Sequence, residues 1–283
     1  MASVEEIVEL LAKVRSRGAG LVLRLEGRYT AVGDLHGDVD TLERVLEEWP
    51  GPYLFLGDYV DRGDRGLEVV TRVFQLYVEG KAVALRGNHE SPLMNMDGGF
   101  LDELCEKLGR RCGYVYKEFE KTFASLPLVA LVNGRVVTLH GGIPLRDDMT
   151  PATLGELEKI SGDLTVPHDP LAFQVLWNDP CHCDRYDPSP RGPGIWLFGR
   201  EATKAFHREH NTATVLRGHT YIPQGCASHH GGAVITVFTS AAGPYRKTRP
   251  KIALVGSVAE VYDLETKKPA QCPEDFSTRP LGP

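Results

Sequence analysis

Short apolar segments alternate with amphipathic segments along the first third of the chain, and this order restricts the fold more than any other feature. The apolar segments have the length of buried strands, and in the segments between them apolar residues recur every three or four positions, as on one face of a helix. This β-α-β-α-β order predicts an α/β protein with right-handed crossovers and helices packed on the sheet. The predicted strands are Tyr29–Val32, Tyr53–Leu56 and Ala82–Leu85, and the predicted helices are Val4–Val14, Val39–Trp49 and Leu67–Val78.

The second half of the chain is richer in short strands. Asn133-Gly134 separates two apolar runs, a pattern typical of a β-hairpin with a primed turn. Residues 177–194 are dense in Pro, Gly and Asp and are predicted to be one long irregular segment, of a length that is usually functional in a compact domain. The other predicted elements are strands at Leu128–Val132, Arg135–Leu139, Ala213–Leu216, Ala233–Phe238, Ile252–Val255 and Ala259–Tyr262, and a helix at Glu201–His210.

Composition and charge narrow the possible partners. With 42% hydrophobic and 25% charged residues the chain can build a sizeable core, and we expect one domain over residues 1–283. The net charge of −6 argues against a general nucleic-acid binder, which would carry a basic surface. No apolar run approaches the roughly 18 residues of a membrane span, and the acidic, amphipathic N-terminus does not resemble a secretory signal. These features predict a cytoplasmic protein with no nucleic-acid or membrane partner.

Five predicted strands end in a glycine-containing loop that presents Asp, His or Asn. A single such loop is more often an ordinary turn, but five of them at strand ends are not expected by coincidence. Because binding sites in α/β sheets lie at the carboxyl ends of the strands, we expect these loops to converge. They read GDLHGD (33–38), GDYVDRG (57–63), RGNHE (86–90), HGG (140–142) and RGH (217–219). The converging side chains are those of Asp34, His36, Asp58, Asn88, His140 and His219, with Asp61, Arg62, His89 and Arg217 nearby.

The types of side chain in this set indicate a metal site. Oxygen and imidazole donors without cysteine suit manganese, iron, zinc, cobalt or nickel better than calcium or magnesium. Six ligands exceed what one tetrahedral ion uses, but they fit two ions that share a bridging carboxylate and hold the oxygens of an in-line displacement. The sequence therefore predicts a dinuclear hydrolase, with manganese as the first choice for assays.

The five motifs, in this order, resemble those of the phosphoprotein phosphatases, a family of serine/threonine phosphatases within the calcineurin-like metallophosphoesterases. The resemblance extends over about residues 30–245 and includes "LWNDP" at 176–180, which is similar to the family's "WSDP". It implies a four-layer α/β/β/α sandwich in which central mixed β-sheets are flanked by helices. It also implies two divalent or trivalent metal ions and hydrolysis of phosphomonoesters by direct attack of a metal-bound hydroxide.

The resemblance assigns a role to each matching residue. Asp34 and His36 would hold one metal, and Asp58 would bridge both. The second metal would be held by Asn88, His140 and His219. His89 would be the general acid, oriented by Asp61, while Arg62 and Arg191 would grip the phosphate. The chain departs from the family at "TSAAGPY" (239–245), where the family has "SAPNYCG", so no role is assigned to Tyr245.

The motifs leave more than one function open. The first hypothesis is a phosphatase for phosphoserine and phosphothreonine in proteins or peptides, with phosphotyrosine as a further substrate. The alternatives are a dinucleoside polyphosphate or other small-molecule phosphoesterase, and a binding scaffold without catalysis. The sequence identifies no regulatory subunit. The six cysteines are too few for a small disulfide scaffold, and Cys181-His182-Cys183 is expected to be an ordinary loop, or else an adventitious metal or redox site.

Overall fold

The computed structural model of this protein describes residues 2–274; Met1 and residues 275–283 of the predicted domain lie outside this range. Residues 2–274 form nine α-helices and fourteen β-strands. The helices are α1 (Val4–Ser16), α2 (Val39–Glu48), α3 (Gly66–Val78), α4 (Pro92–Gly98), α5 (Phe100–Leu108), α6 (Cys112–Ala124), α7 (Leu154–Leu157), α8 (Pro170–Trp177) and α9 (Arg200–His210). The strands are β1 (Val22–Leu25), β2 (Tyr29–Val32), β3 (Tyr53–Phe55), β4 (Ala82–Ala84), β5 (Val129–Val132), β6 (Val136–Leu139), β7 (Asp179–Pro180), β8 (Tyr186–Pro188), β9 (Trp196–Phe198), β10 (Thr214–Arg217), β11 (Cys226–His229), β12 (Val234–Val237), β13 (Lys251–Val255) and β14 (Ala259–Asp263).

Two mixed sheets form the centre of the fold. One has six strands in the order β1-β5-β6-β10-β12-β11, and the other has five in the order β14-β13-β2-β3-β4. Within the second sheet, β2, β3 and β4 are parallel, as the alternating order predicts. Within the first, β6, β10 and β12 are parallel. The carboxyl ends of these parallel strands carry the predicted ligands.

Three hydrophobic cores define four layers. The core between the sheets includes Leu54 and Leu56 from one sheet and Val132 and Leu216 from the other. A second core packs α1, α2, α3, α5 and α6 on the outer face of the five-stranded sheet, and a third packs α8 and α9 on the outer face of the six-stranded sheet. The result is the predicted α/β/β/α sandwich of mixed sheets flanked by helices.

The predicted elements are confirmed to within two residues at their ends. The β5–β6 hairpin is antiparallel, and Asn133 (φ 48°) and Gly134 (φ 63°) are both left-handed, as a type I′ turn requires. The helix at the N-terminus begins with a capping box, in which Ser3 and Glu6 satisfy each other's backbone N–H groups. Local sequence signals therefore account for these elements.

Other parts of the fold were not predicted. The segment 177–194 is not wholly irregular, because β7 and β8 lie within it and pair with β9, which follows it, in a small three-stranded sheet. Strands β1 and β11 and the helices between residues 92 and 124 were also missed. Strand β1 is short and only partly buried, so its four residues show no clear alternation, and its parallel pairing with β5 spans about a hundred residues.

All six cysteines are paired, as Cys105–Cys112, Cys181–Cys183 and Cys226–Cys272. The Cys181-His182-Cys183 segment therefore holds a disulfide rather than two thiolates available to a metal. Disulfides are rare in the cytosol of mesophiles and persist in oxidising compartments or in hyperthermophiles. Among residues 2–274, no helix combines the length and the apolar character that crossing a membrane requires.

Candidate metal centre

The five glycine-containing loops lie at one edge of the two sheets. Three of the predicted ligands, Asp34, Asp58 and Asn88, follow the parallel strands β2, β3 and β4. The other sheet contributes His140 after β6 and His219 after β10. An isolated β-bridge between Asp34 and Phe238 joins the two sheets at this point. The predicted convergence is thus observed, although it takes two sheets rather than one to produce it.

The first group of donors consists of Asp34, His36 and Asp58. The Nδ1 atom of His36 bonds to the carbonyl of Val60 at 2.9 Å, so its Nε2 atom is directed into the site. That Nε2 lies 3.9 Å from Asp34 Oδ2 and 3.5 Å from Asp58 Oδ2. All three side chains are 1–3% exposed. This is the spacing of donor atoms that surround a shared ion.

The second group of donors consists of Asn88, His140 and His219. The Oδ1 atom of Asn88 lies 2.8 Å from both His140 Nε2 and His219 Nδ1, and those two nitrogens are 3.2 Å apart. The other ring nitrogen of His140 bonds to the carbonyl of Leu56 at 2.9 Å, which orients the imidazole. An outer hydrogen bond of this kind is usual for a histidine that binds a metal.

The carboxylate of Asp58 faces both groups. Its Oδ2 is the atom near His36, whereas its Oδ1 lies 3.3 Å from His140 Nε2. Two clusters with metal-ligand spacing therefore share this residue: His36, Asp58 and His89, and Asp58, His140 and His219, with donor atoms within 4.8 Å of one another in each. A carboxylate in this position can bridge two ions.

The residues present fit a pair of metal ions. Asp34 Oδ2 and His219 Nε2 are buried and have no hydrogen-bond partner within residues 2–274, a costly state for a polar atom. A Cβ atom on Gly87 would overlap Asp58 Oδ1, and one on Gly218 would overlap Asp34 Oδ1. The glycines before Asn88 and His219 therefore let the loops approach the carboxylates closely. Oxygen and imidazole donors are those that manganese, iron or zinc accept.

Burial and crowding of like charges shift the acid–base properties of these donors. Burial, together with the charge of Asp58, raises the pKa of Asp34 to about 6. Burial and the neighbouring His89 lower the pKa of His36 to about 4, and burial holds the pKa of His219 well below its ordinary value. Neutral imidazole is the form that binds a metal, so both histidines are ready ligands at neutral pH. A bound cation would also relieve the repulsion between the two carboxylates.

Several site residues have a left-handed backbone, which is uncommon outside glycine. The φ values are 46° at His36, 57° at Asp58, 66° at Asp61, 68° at Arg62 and 73° at His219. Such conformations cost roughly 1–3 kcal/mol each and persist where surrounding contacts fix them, most often at functional sites. Here Glu90 supplies part of that restraint, because its carboxylate accepts the backbone N–H groups of Asp58 at 2.8 Å and of Tyr59 at 2.9 Å.

His89 and Asp61 form a hydrogen-bonded pair beside the donors. His89 Nδ1 lies 2.8 Å from Asp61 Oδ2, which leaves Nε2 directed toward the cavity, 4.0 Å from Asp58 Oδ2. Asn95 fixes the pair, since its amide donates to Asp61 Oδ2 at 2.8 Å and to the His89 carbonyl at 2.7 Å. Burial opposes a charge on His89, but the carboxylates of Asp58 and Asp61 outweigh it and raise the pKa of His89.

The two predicted phosphate-binding arginines line the same cavity, which has a volume of about 230 Å³. Arg62 is exposed at its rim. Arg191 donates from Nε to Asp179 Oδ2 at 2.6 Å, while its Nη2 atom is buried without a partner among residues 2–274. Asp179 also accepts from Arg217 Nη2 at 2.9 Å, so one carboxylate holds two guanidinium groups. Arg217, which the sequence placed near the site, is fully buried and supports it.

Sequence analysis missed three residues that shape the site: Glu90, Asn95 and Asp179. Glu90 and Asp179 stand in the motifs "RGNHE" and "WNDP", so their motifs were visible although their contacts were not. Tyr245, which received no role, lines the cavity and stacks on His36 with ring centroids 5.2 Å apart. The ring centroids of Phe238 and Tyr221 lie 4.9 and 5.3 Å from that of Tyr245. The segment 239–245, whose sequence differs from that of the family, therefore still closes one side of the site.

Comparison with known proteins identifies the family. The sequence profile of the calcineurin-like phosphoesterases matches residues 27–223, more than half of the chain. The chain belongs to the calcineurin-like phosphoesterase family. Its members share the metallophosphoesterase fold, which agrees with the layers and donor clusters described above.

Solved structures narrow the relationship within this family. A protein serine/threonine phosphatase from Saccharomyces cerevisiae with similarity to human phosphatase PP5 is similar at 28% identity with a TM-score of 0.81, covering 90% of this chain and 83% of that one. A cold-active protein-tyrosine phosphatase of a psychrophilic Shewanella species shares the fold at 17% identity with a TM-score of 0.59, covering 89% and 83%. The resemblance of this calcineurin-like phosphoesterase to the phosphoprotein phosphatases is thereby confirmed.

Proposed function

We propose that this calcineurin-like phosphoesterase is a dinuclear metal-dependent protein phosphatase that hydrolyses phosphoserine and phosphothreonine esters, with phosphotyrosine as a further substrate. The observation that carries the proposal is the position of Asp58, whose two carboxylate oxygens face separate groups of donors. The similarity to the yeast serine/threonine phosphatase supports the choice of substrate class.

In this proposal Asp34 and His36 would hold one ion, Asn88, His140 and His219 would hold the other, and Asp58 would bridge them. The bound ions would supply an activated water and neutralise charge on the phosphoryl oxygens. Arg62 and Arg191 bind the remaining oxygens, for which a planar guanidinium is better suited than an ammonium group. Asp179 keeps Arg191 oriented toward the cavity.

His89 is proposed as the general acid. A seryl alkoxide is a poor leaving group, so its oxygen must gain a proton as the P–O bond breaks. With Nδ1 bonded to Asp61, the imidazolium of His89 presents its Nε2 proton to the cavity. The nearby carboxylates favour the protonated ring, which is the form required. His89 also lies close enough to Asp58 to be a metal ligand itself. A His89 variant should keep its metal if His89 is the general acid and lose metal if His89 is a ligand.

The bridging role of Asp58 can be tested by metal analysis. Protein purified without chelators should contain about two equivalents of metal per chain, and Asp58→Asn should lose most of it. Asp64→Asn is the matched control, because Asp64 is an exposed carboxylate in the same loop. An Asp58→Asn variant that keeps two ions and full activity would contradict the bridging role.

Substrate class is tested by a panel assayed with added manganese. Phosphoserine and phosphothreonine peptides should be hydrolysed with a kcat/KM at least tenfold above that for diadenosine tetraphosphate, with p-nitrophenyl phosphate as a general reference. The reverse order would favour the small-molecule phosphoesterase. No hydrolysis of any substrate by metal-loaded protein would favour a binding scaffold and overturn the proposal.

A further inference from the structure

Three cations lie within four consecutive positions beside the candidate site. Residues 239–250 contain Arg246, Lys247 and Arg249 and no acidic residue, in a chain whose net charge is −6. All three side chains are exposed. A local concentration of positive charge on an acidic protein indicates a surface that attracts negative groups.

This segment is fixed against the cavity by its buried residues. Tyr245, which lines the cavity, is 4% exposed, and Thr248 is 7% exposed. The Tyr245 carbonyl accepts both the backbone N–H of Thr248 at 2.8 Å and its hydroxyl at 2.7 Å. Arg246 and Lys247 therefore occupy an exposed turn between two buried anchors, and the first anchor, Tyr245, is part of the cavity wall.

The turn continues the charge of Arg62. A Cβ atom on Gly243 would lie 3.4 Å from the Arg62 carbonyl, so the backbone of the turn runs beside the "DRG" loop. We call Arg246, Lys247 and Arg249 the basic rim, which adds its positive charge to that of Arg62. Within residues 2–274, none of these four cations has a carboxylate within 4.0 Å, whereas many other exposed arginines and lysines form such pairs. Their charge is available to a ligand.

We infer that the basic rim binds acidic residues that flank the phosphorylated side chain of a protein substrate. The inference rests on the proposed phosphatase function and specifies its substrate class. A phosphate group alone would be met by Arg62 and Arg191, which line the cavity, whereas the turn at 246–249 contributes none of the cavity-lining residues in the described structure. Aspartate, glutamate or a second phosphorylated residue on a neighbouring position of a peptide would extend over that turn.

The test compares two phosphoserine peptides of equal length that differ only in the flanking positions, with aspartates in one and alanines in the other. At low ionic strength the aspartate peptide should have a kcat/KM about fivefold to tenfold higher, mainly through KM, since exposed ion pairs contribute modestly and several act together. In 0.5 M NaCl the preference should fall below about twofold, because salt screens exposed charges.

Variants of the basic rim test whether its residues cause the preference for acidic flanking residues. Arg246→Ala/Lys247→Ala should abolish the preference while p-nitrophenyl phosphate hydrolysis changes less than about twofold. Arg246→Glu/Lys247→Glu should reverse it, so that a lysine-flanked peptide becomes the better substrate. The matched control is Arg110→Ala/Lys159→Ala, which removes the same charge from two exposed residues outside the segment 239–250 and should leave the preference intact.

The outcomes separate this inference from the proposed function. If wild-type protein hydrolyses p-nitrophenyl phosphate and phosphopeptides but shows no preference for acidic flanks, the basic rim has no part in substrate binding. An equal loss on p-nitrophenyl phosphate in the rim variants would likewise overturn the inference, because the turn would then act on the site itself. If the metal-loaded wild type hydrolyses none of these compounds, the proposed function fails.

Discussion

Asp179 and Arg191 form an ion pair in which the carboxylate Oδ2 lies 2.6 Å from the guanidinium Nε, and the carboxylate is 2% exposed. The same carboxylate binds Arg217 through its other oxygen. Burial alone would raise the pKa of Asp179, but the two arginines outweigh burial and lower it. Asp179 is therefore a charged anchor at neutral pH for Arg191, a residue that lines the cavity and whose Nη2 atom is buried without a partner in the described structure.

Replacing this anchor should weaken phosphate binding. In Asp179→Asn the two guanidinium groups lose their shared counter-charge, so we expect kcat/KM to fall by roughly tenfold or more, mostly through KM, and stability to fall by about 3 kcal/mol. The inhibition constant of inorganic phosphate as a competitive inhibitor should rise in parallel. A substitution that only lowered stability would not change this constant in the protein that remains folded. Asp187→Asn, an exposed carboxylate of the same segment, is the control. An unchanged phosphate inhibition constant would show that Arg191 does not depend on Asp179.

The disulfides should stabilise the protein to different degrees. Cys226 and Cys272 are 46 residues apart and Cys105 and Cys112 are 7 apart. In the chain-entropy account a longer closed loop gives more stabilisation, which predicts about 4 kcal/mol for the first pair and about 2 kcal/mol for the second. Chemical denaturation of the two double cysteine-to-alanine variants measures both losses. A larger loss in the Cys105/Cys112 variant would contradict the entropic explanation.

The general-acid role of His89 predicts a dependence on the leaving group. His89→Ala should lose about 10²- to 10⁴-fold in kcat on a phosphoserine peptide, whose leaving oxygen must be protonated. The loss on p-nitrophenyl phosphate should be at least tenfold smaller, because p-nitrophenolate departs without a proton. His168→Ala removes an exposed histidine elsewhere and should have no effect. Equal losses on both substrates, accompanied by loss of metal, would identify His89 as a ligand instead.

The loops of this site were predictable from sequence because each is a local signal. Asp34, Asp58 and Asn88 each follow an apolar strand and a glycine, and the chemistry of these side chains could be read without knowing their neighbours. The Asn133-Gly134 turn was predictable for the same reason, since only residues that accept a left-handed backbone form it. Local patterns thus predicted the strands, the hairpin and the candidate ligands.

Pairings between distant segments were not predictable in the same way. Strand β13 pairs antiparallel with β2, although more than two hundred residues separate them in the sequence. The alternation of side chains along a strand shows which residues share a face, but it does not show which strand is the partner. Likewise, nothing in the sequence indicates that Asp179 contacts Arg217 or that Asn95 contacts Asp61, because ion pairs and hydrogen bonds between distant residues leave no periodic pattern in the sequence. The supporting residues of the site therefore became visible only in the structure.

The pair formed by Asp61 and His89 predicts a change in the pH profile. The carboxylate of Asp61 helps to raise the pKa of His89, and a general acid acts only while it is protonated, so activity should decline as the pH rises through that pKa. Asp61→Asn removes a negative charge 2.8 Å from the ring and makes the imidazolium less stable. The alkaline limb of kcat for a phosphoserine peptide should therefore move to lower pH, while the profile for p-nitrophenyl phosphate should shift little. If the limb stays in place, or moves to higher pH, the proton donor is a group other than His89.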